Sequence, residues 1–206
     1  MLDIITNLGD SALLLPASAL LLVHFWAAGE RRTALAWGAA LALCIGLTFA
    51  SKIGFRACGA AVLPALDIRS PSGHTALGAA FYGCGALLLG AGRAAGVRIA
   101  VAATAAALVV AIAASRVMLE AHTGPEIVAG LLIGAAAVAL FRARCFGRAP
   151  IGLRWKPLLA GVAALAVLMN GRHLGAEEMI ARLVDRLQQT TGVCETAAVG
   201  PTALMK

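Results

Sequence analysis

Three groups of polar residues interrupt an otherwise apolar chain, and their types suit phosphate chemistry. They are Lys52 with Arg56, then Arg69-Ser70-Pro71-Ser72-Gly73-His74, then Ser115-Arg116 running through His122 to Glu126. Cations and two histidines gather where acids are few, a combination that fits a bound anion, above all phosphate. Pro71-Ser72-Gly73-His74 reads as the opening of a helix, where free N–H groups and the positive end of the dipole favour phosphate oxygens. Gly73 lets the backbone come close. Ser72 either caps the helix or gives its hydroxyl to the ligand, and His74 can deliver a proton near neutral pH. Arg116 presents a planar fork able to hold two phosphate oxygens. His122 and Glu126 stand four apart with Pro125 between them, and Pro suits a first helical turn, so a helix is expected from about Pro125. Glu126 then reaches back to one ring nitrogen of His122. That contact fixes the tautomer and leaves the other nitrogen free to attack phosphorus.

The elements that must position these groups are membrane helices. Of the 206 residues, 61% are hydrophobic and only 13% charged, with a mean hydropathy of +0.89. Soluble domains carry about a quarter charged residues, and a disordered chain needs more charge and less apolar side chain. The formal net charge of +7 does not indicate a nucleic-acid partner, because the basic residues separate apolar runs of membrane length. Five cysteines show no CxxC pair and no spacing suited to zinc.

Crossing about 30 Å of hydrocarbon takes about 17–25 apolar residues in a helix. Six runs qualify, at 11–29, 33–51, 73–91, 97–115, 125–142 and 155–171, the last being the shortest. They are continuous and not alternating, which selects helices over a barrel. No signal peptide is expected, since the first basic residue is Arg31. The expected architecture is therefore all-α, a polytopic bundle of about six transmembrane helices over 1–172. Residues 173–206 form an outer amphipathic helix, with Met179, Ile180, Leu183, Val184 and Leu187 on one face, and a loose tail.

Orientation follows from Lys and Arg. The connections at 30–32, 92–98 and 142–156 are rich in Arg and belong on the cytoplasmic side. Strict alternation puts both termini and the loops 52–72 and 115–124 outside, so all three polar groups share one face. Ionisable groups at membrane depth are costly and usually mark a pathway or a site. Among the remaining residues, Asp10 is read as the cap of the first spanning helix and Glu120 as solvated. Gly130 and Gly134 form a GxxxG step for close helix packing. Cys58 and Cys194 share the outer side, where a disulfide is chemically permitted but nothing demands one.

Pro71-Ser72-Gly73-His74, followed by Ser115-Arg116, five residues, His122, three residues and an acid, resembles the type 2 phosphatidic acid phosphatase family, which shares its helical core with vanadium haloperoxidases. The resemblance runs over about 50–130. Two departures stand out. Glu126 occupies the place of the usual Asp, and of the family's first motif only Lys52 is present, Gly59 and Ala60 standing where Arg-Pro is expected. Arg56 or Arg69 is then the replacement cation, with Arg69 favoured because it adjoins the phosphate-binding helix start.

The resemblance implies His122 as nucleophile forming a phosphohistidine, His74 as general acid, and Glu126 as the acid that orients His122. It implies Lys52, Ser72, Gly73 and Arg116 as phosphate holders, with no metal and no cofactor. The function expected on this basis is an integral membrane phosphatase acting on a lipid phosphate or pyrophosphate, such as isoprenyl pyrophosphate, phosphatidic acid, phosphatidylglycerol phosphate or a lipid A phosphate. Its partners are the bilayer and its lipid substrate, without nucleic acid. The Ala- and Arg-rich composition suggests a GC-rich bacterial source, hence an inner-membrane protein with its site facing the periplasm. A lipid phosphotransferase on the same site and a non-catalytic binder of lipid phosphate are the alternatives. A vanadate-dependent haloperoxidase fits a lipid-facing site poorly.

Overall fold

A computed structural model describes residues 2–62, 70–145 and 155–169, together with Arg182 and Arg186. Among these residues every regular element is helical. They are α1 (Leu2–Asn7), α2 (Ser11–Ala27), α3 (Arg31–Val62), α4 (Gly73–Gly90), α5 (Ala95–Met118), α6 (Gly124–Cys145) and α7 (Trp155–Met169). Each of the six expected membrane runs is helical over its described residues, apart from turn residues at 28–29 and 91. Among the described residues, four stretches are long and apolar enough to cross a bilayer: Leu2–Ala27, Arg31–Phe55, Ala95–Met118 and Gly124–Cys145; the expected runs at 73–91 and 155–171 are not among them. The expected C-terminal amphipathic helix and the pairing of Cys58 with Cys194 lie outside the described residues, except that Arg182 and Arg186 are helical and exposed.

Two elements differ from the reading of the sequence. First, the apolar stretch Leu2–Ala27 is two helices and not one, since α1 is separated from α2 by a turn ending at Asp10. Second, α3 does not stop at 51. Its apolar span reaches Phe55 and the helix continues to Val62, so Lys52 belongs to a helix and not to a loop. Polarity ends a membrane run but not a helix. Lys, Arg and Ala are good helix formers, and the first Pro after the run is Pro64.

The order of helices in space places α4 at the centre, packed against α2, α3, α5 and α6; α3 also packs on α6, α7 on α2, and α1 on α5. Around Trp37 of α3, the rings of Phe25, Phe81 and Phe141 lie edge-on at centroid distances of 6.1, 5.5 and 6.0 Å, tying α2, α4 and α6 to α3. Such edge-to-face geometry suits the ring quadrupoles. At the same end, Arg32 Nε donates to the carbonyl of Arg144 at 3.0 Å, so the start of α3 meets the end of α6. The start of α3, the turn between α4 and α5 and the end of α6 thus lie at one end of the bundle, and Lys52, Pro71 to His74 and Ser115 to Glu126 lie toward the other.

The GxxxG step acts as a spacer between α6 and α4. A Cβ on Gly134 would stand 2.5 Å from Ala79 Cβ and 2.7 Å from the Ala76 carbonyl oxygen, and one on Gly130 would stand 2.6 Å from the Ser72 carbonyl oxygen. Backbone therefore lies directly on backbone, the contact that small residues make possible between membrane helices. Gly134→Ala should force the helices apart and cost about 1–3 kcal/mol, as overpacking does. Thermal unfolding in detergent, with Ala135→Gly as a control at an exposed position, checks this: the Gly134 variant melts lower and the control stays within a few degrees of the parent.

Candidate phosphate site at one end of the bundle

The site is assembled from local rules at the ends of three helices. Ser72 caps α4: its hydroxyl oxygen accepts from Thr75 N at 3.4 Å and from Thr75 Oγ1 at 3.0 Å. It is completely buried, and the cap leaves its own proton available to donate. Gly73, the first residue of α4, faces α3, since a Cβ there would stand 3.6 Å from Lys52 Cε and 3.9 Å from Lys52 Nζ. The Lys52 side chain, only 4% exposed, therefore sets its ammonium against the positive end of α4. The ammonium and the free N–H groups at the start of α4 thus face one another, an arrangement that favours an anion between them.

A reversal at the end of α5 aims His122 toward the same place. Glu120 N donates to the Val117 carbonyl at 2.9 Å and Ala121 N to the Arg116 carbonyl at 3.0 Å, while Glu120 itself takes φ 53°. This is the double hydrogen bond that ends a helix through a left-handed residue. Glu120 thus has a backbone role in addition to its expected exposure to solvent. His122 N completes the turn on the Arg116 carbonyl at 3.3 Å.

Glu126 then joins the pieces. Its Oε2 lies 2.8 Å from His122 Nδ1 and accepts from Thr123 N at 3.1 Å. The second contact is the backward reach of a third-position Glu to the residue that precedes its helix. Glu126 Oε1 accepts from Ser70 N at 2.8 Å, and its backbone carbonyl accepts from Ser72 N at 3.1 Å. One buried residue, 4% exposed, therefore holds both the loop that enters α4 and the ring of His122. The extra methylene of Glu over Asp is accommodated by this reach from the first turn of α6. A carboxylate accepts hydrogen bonds, so Nδ1 carries the ring proton and Nε2 is the nitrogen left with a lone pair.

Burial is the main cause that lowers His122 below its ordinary pKa of 6.5; Arg116 and Lys52 push the same way, and Glu126 opposes them. Both cations therefore act on this ring. Arg116 sits in the last turn of α5, where its NH1 donates to Thr6 Oγ1 of α1 at 3.3 Å. His74, in the first turn of α4, places Nε2 3.3 Å from Asp10 Oδ2. Asp10 does cap α2, as expected, with Oδ1 accepting from Ala12 N at 2.7 Å. Its second oxygen, on His74, was not foreseen. The available signal was topological: alternation already puts the start of the first spanning helix on the same side as His74.

The structure thus brings together Lys52, Ser72, Gly73, His74, Arg116, His122 and Glu126 at one end of the bundle. Arg56 lies in α3 one turn beyond Lys52, with its side chain outside what is described, and Arg69 lies outside the described residues. Among the described residues, no three His, Cys, Asp or Glu side chains cluster as metal ligands.

Residues 60–149 match the PAP2 superfamily, a stretch that contains both the helix start at 71–74 and the run from Ser115 to Glu126. The chain belongs to the PAP2 superfamily. A relative in Klebsiella pneumoniae, described as "Uncharacterized 22.5 kDa protein in cps region", is 37% identical over 140 residues, covering 68% of this chain and 66% of its own length. The chain therefore spans just under two thirds of that relative. No solved structure matches it. Lys52 and Asp10 lie outside the stretch matched to the PAP2 superfamily, and the bundle brings both to the matched helices.

The electrostatics give a direct expectation. The His122 imidazole titrates below pH 6.5, and Glu126→Gln, which removes the one influence opposing burial, moves it lower still. Histidine carbon or nitrogen NMR shifts followed against pH in detergent micelles check this. A His122 midpoint above 6.5 in the parent contradicts the geometry.

Proposed function

We propose that the protein is an integral membrane phosphatase that removes phosphate from a lipid phosphate or pyrophosphate through a phosphohistidine. The observation that carries this reading is the Glu126 carboxylate shared between His122 Nδ1 and the entry to α4. Anion binding alone requires no imidazole oriented by a buried acid, so the pair argues for turnover over passive binding. Membership of the PAP2 superfamily supports phosphatase activity, and the apolar helices around the site suit an amphiphilic substrate whose tail stays in the bilayer.

In the proposed reaction, phosphate oxygens lie against the start of α4 at Gly73, with Lys52 and Arg116 offsetting their charge. His122 Nε2 attacks phosphorus. A P–N bond forms while the P–O bond to the lipid breaks, and His74 gives its proton to the departing oxygen. Water then attacks phosphorus and the P–N bond breaks. The water's proton passes to His74, and inorganic phosphate leaves. Preorganised cations and N–H groups aimed at the transferring group typically account for several kcal/mol of such a barrier. Arg69, beside the phosphate helix, is proposed as the further cation in place of the absent family Arg, with Arg56 as the second choice. With the arginine-rich end in the cytoplasm, the site faces the periplasm of a bacterial inner membrane. Transfer to a lipid hydroxyl instead of water uses the same residues.

A panel of lipid phosphates and pyrophosphates in mixed micelles, read by released phosphate, tests this reading. The parent turns over at least one of them. His122→Ala loses activity by about 10³-fold or more, as expected for deletion of a nucleophile that acts with its partners as a unit. Glu126→Gln loses about 10²-fold while still folding. Parent-like activity in His122→Ala rejects the assignment.

A further inference from the structure

Residues 2–10 lie at the site end of the bundle, outside the stretch matched to the superfamily. Tyr82 Oη donates to the Leu8 carbonyl at 2.8 Å, which ties the turn after α1 to α4. Gly9 lies on the first turn of α4, where a Cβ would stand 3.1 Å from the His74 carbonyl oxygen, 3.3 Å from His74 Cβ and 2.7 Å from Ile112 of α5. Only glycine permits so close an approach. Thr6 accepts from Arg116, and Asp10, with its side chain 8% exposed, places Oδ2 3.3 Å from His74 Nε2. The segment thus reaches two of the phosphate-site residues with two different side chains. A cap needs only one carboxylate oxygen, and Ser, Thr or Asn caps as well as Asp. The second oxygen, set on an imidazole at the mouth of the site, goes beyond what capping requires.

We infer that Asp10 is a positioning residue for the proton-donating histidine, so that the protein holds two acid–imidazole pairs, Glu126 on His122 and Asp10 on His74. This rests on the phosphatase reading above. With Nε2–H held by the Asp10 carboxylate, His74 presents Nδ1 to the departing oxygen. Nδ1 gives up its proton as the P–O bond breaks and takes one back from the attacking water, while the Nε2 proton stays on Asp10. The carboxylate fixes the ring and its tautomer through both halves of the reaction, the second-group logic of an oriented acid or base.

Asp10→Asn separates the two roles of this residue. The single carbonyl oxygen of Asn goes to the Ala12 N–H and preserves the cap, so the amide N–H₂ faces His74. A donor there forces Nε2 to accept, which puts the neutral ring's proton on Nδ1 and leaves the imidazolium without its acceptor. Asp10→Ser keeps a capping oxygen but is too short to reach the ring. The test compares two leaving groups: a dialkyl-glycerol phosphate, whose alkoxide needs a proton, and p-nitrophenyl phosphate, whose phenolate leaves without one.

Expected is a fall in kcat/KM, which reports the steps up to departure of the leaving group, of about 10-fold or more on the lipid phosphate for both variants, less than about 3-fold on the nitrophenyl ester, and melting temperatures close to the parent. A loss of general acid catalysis of this kind falls within the range that proton transfer contributes. Parent-like kcat/KM on the lipid, or equal losses of kcat/KM on both substrates, overturns the inference and leaves the phosphatase reading intact. His74→Ala serves as the control. If it too shows no dependence on leaving group, the acid role of His74 falls, and the positioning role of Asp10 with it.

Discussion

The arrangement depends on one buried carboxylate. Glu126 receives the backbone of the loop entering α4, the backbone that starts its own helix, and the ring of His122. An unpaired carboxylate at that depth would be costly, and these donors offset that cost. The same contacts that solvate the charge therefore fix the imidazole relative to the helix N-terminus. Stability of the pair and alignment of the site are a single requirement.

That requirement reaches into the scaffold. The carboxylate can receive Ser70 only if α6 lies against the first turn of α4, and the glycines at 130 and 134 permit this by bringing backbone onto backbone. The ring can receive the carboxylate only if the chain reverses sharply after α5, which the left-handed Glu120 provides. Lys52 arrives from a third helix, carried past the end of its apolar run by continued helix. On one side of this frame stands the N-terminal turn, which holds Arg116 through Thr6 and His74 through Asp10.

Much of this was legible in the sequence, because it rests on spacing along the chain. The apolar runs mark the helices, Ser72 before Gly73 marks a cap, and His122 four residues before Glu126 marks a pair within one turn. The extension of α3 was hidden because hydropathy reports where a membrane run ends, not where a helix does. The contact of Asp10 with His74 was hidden for another reason. These helices are apolar on nearly every face, so no periodicity says which side of each turns inward. Contacts across the bundle depend on that rotation, and Gly9 against α4 fixes it at a position where the sequence shows only a turn residue.

The superfamily assignment covers residues 60–149, while Lys52, Asp10 and Thr6 come from outside it. The chemistry proposed for the matched core thus relies on groups supplied by helices that precede it. The central claim is the covalent one, that phosphorus passes through the nitrogen of His122. It is tested most directly by mixing the protein with a phosphorus-labelled lipid phosphate, quenching in base, where phosphohistidine survives, and locating the label by peptide mass spectrometry. The account predicts phosphate on His122, absent from His122→Ala and discharged on a chase with unlabelled substrate. Turnover with phosphate on no histidine, or on His74 instead, would contradict it.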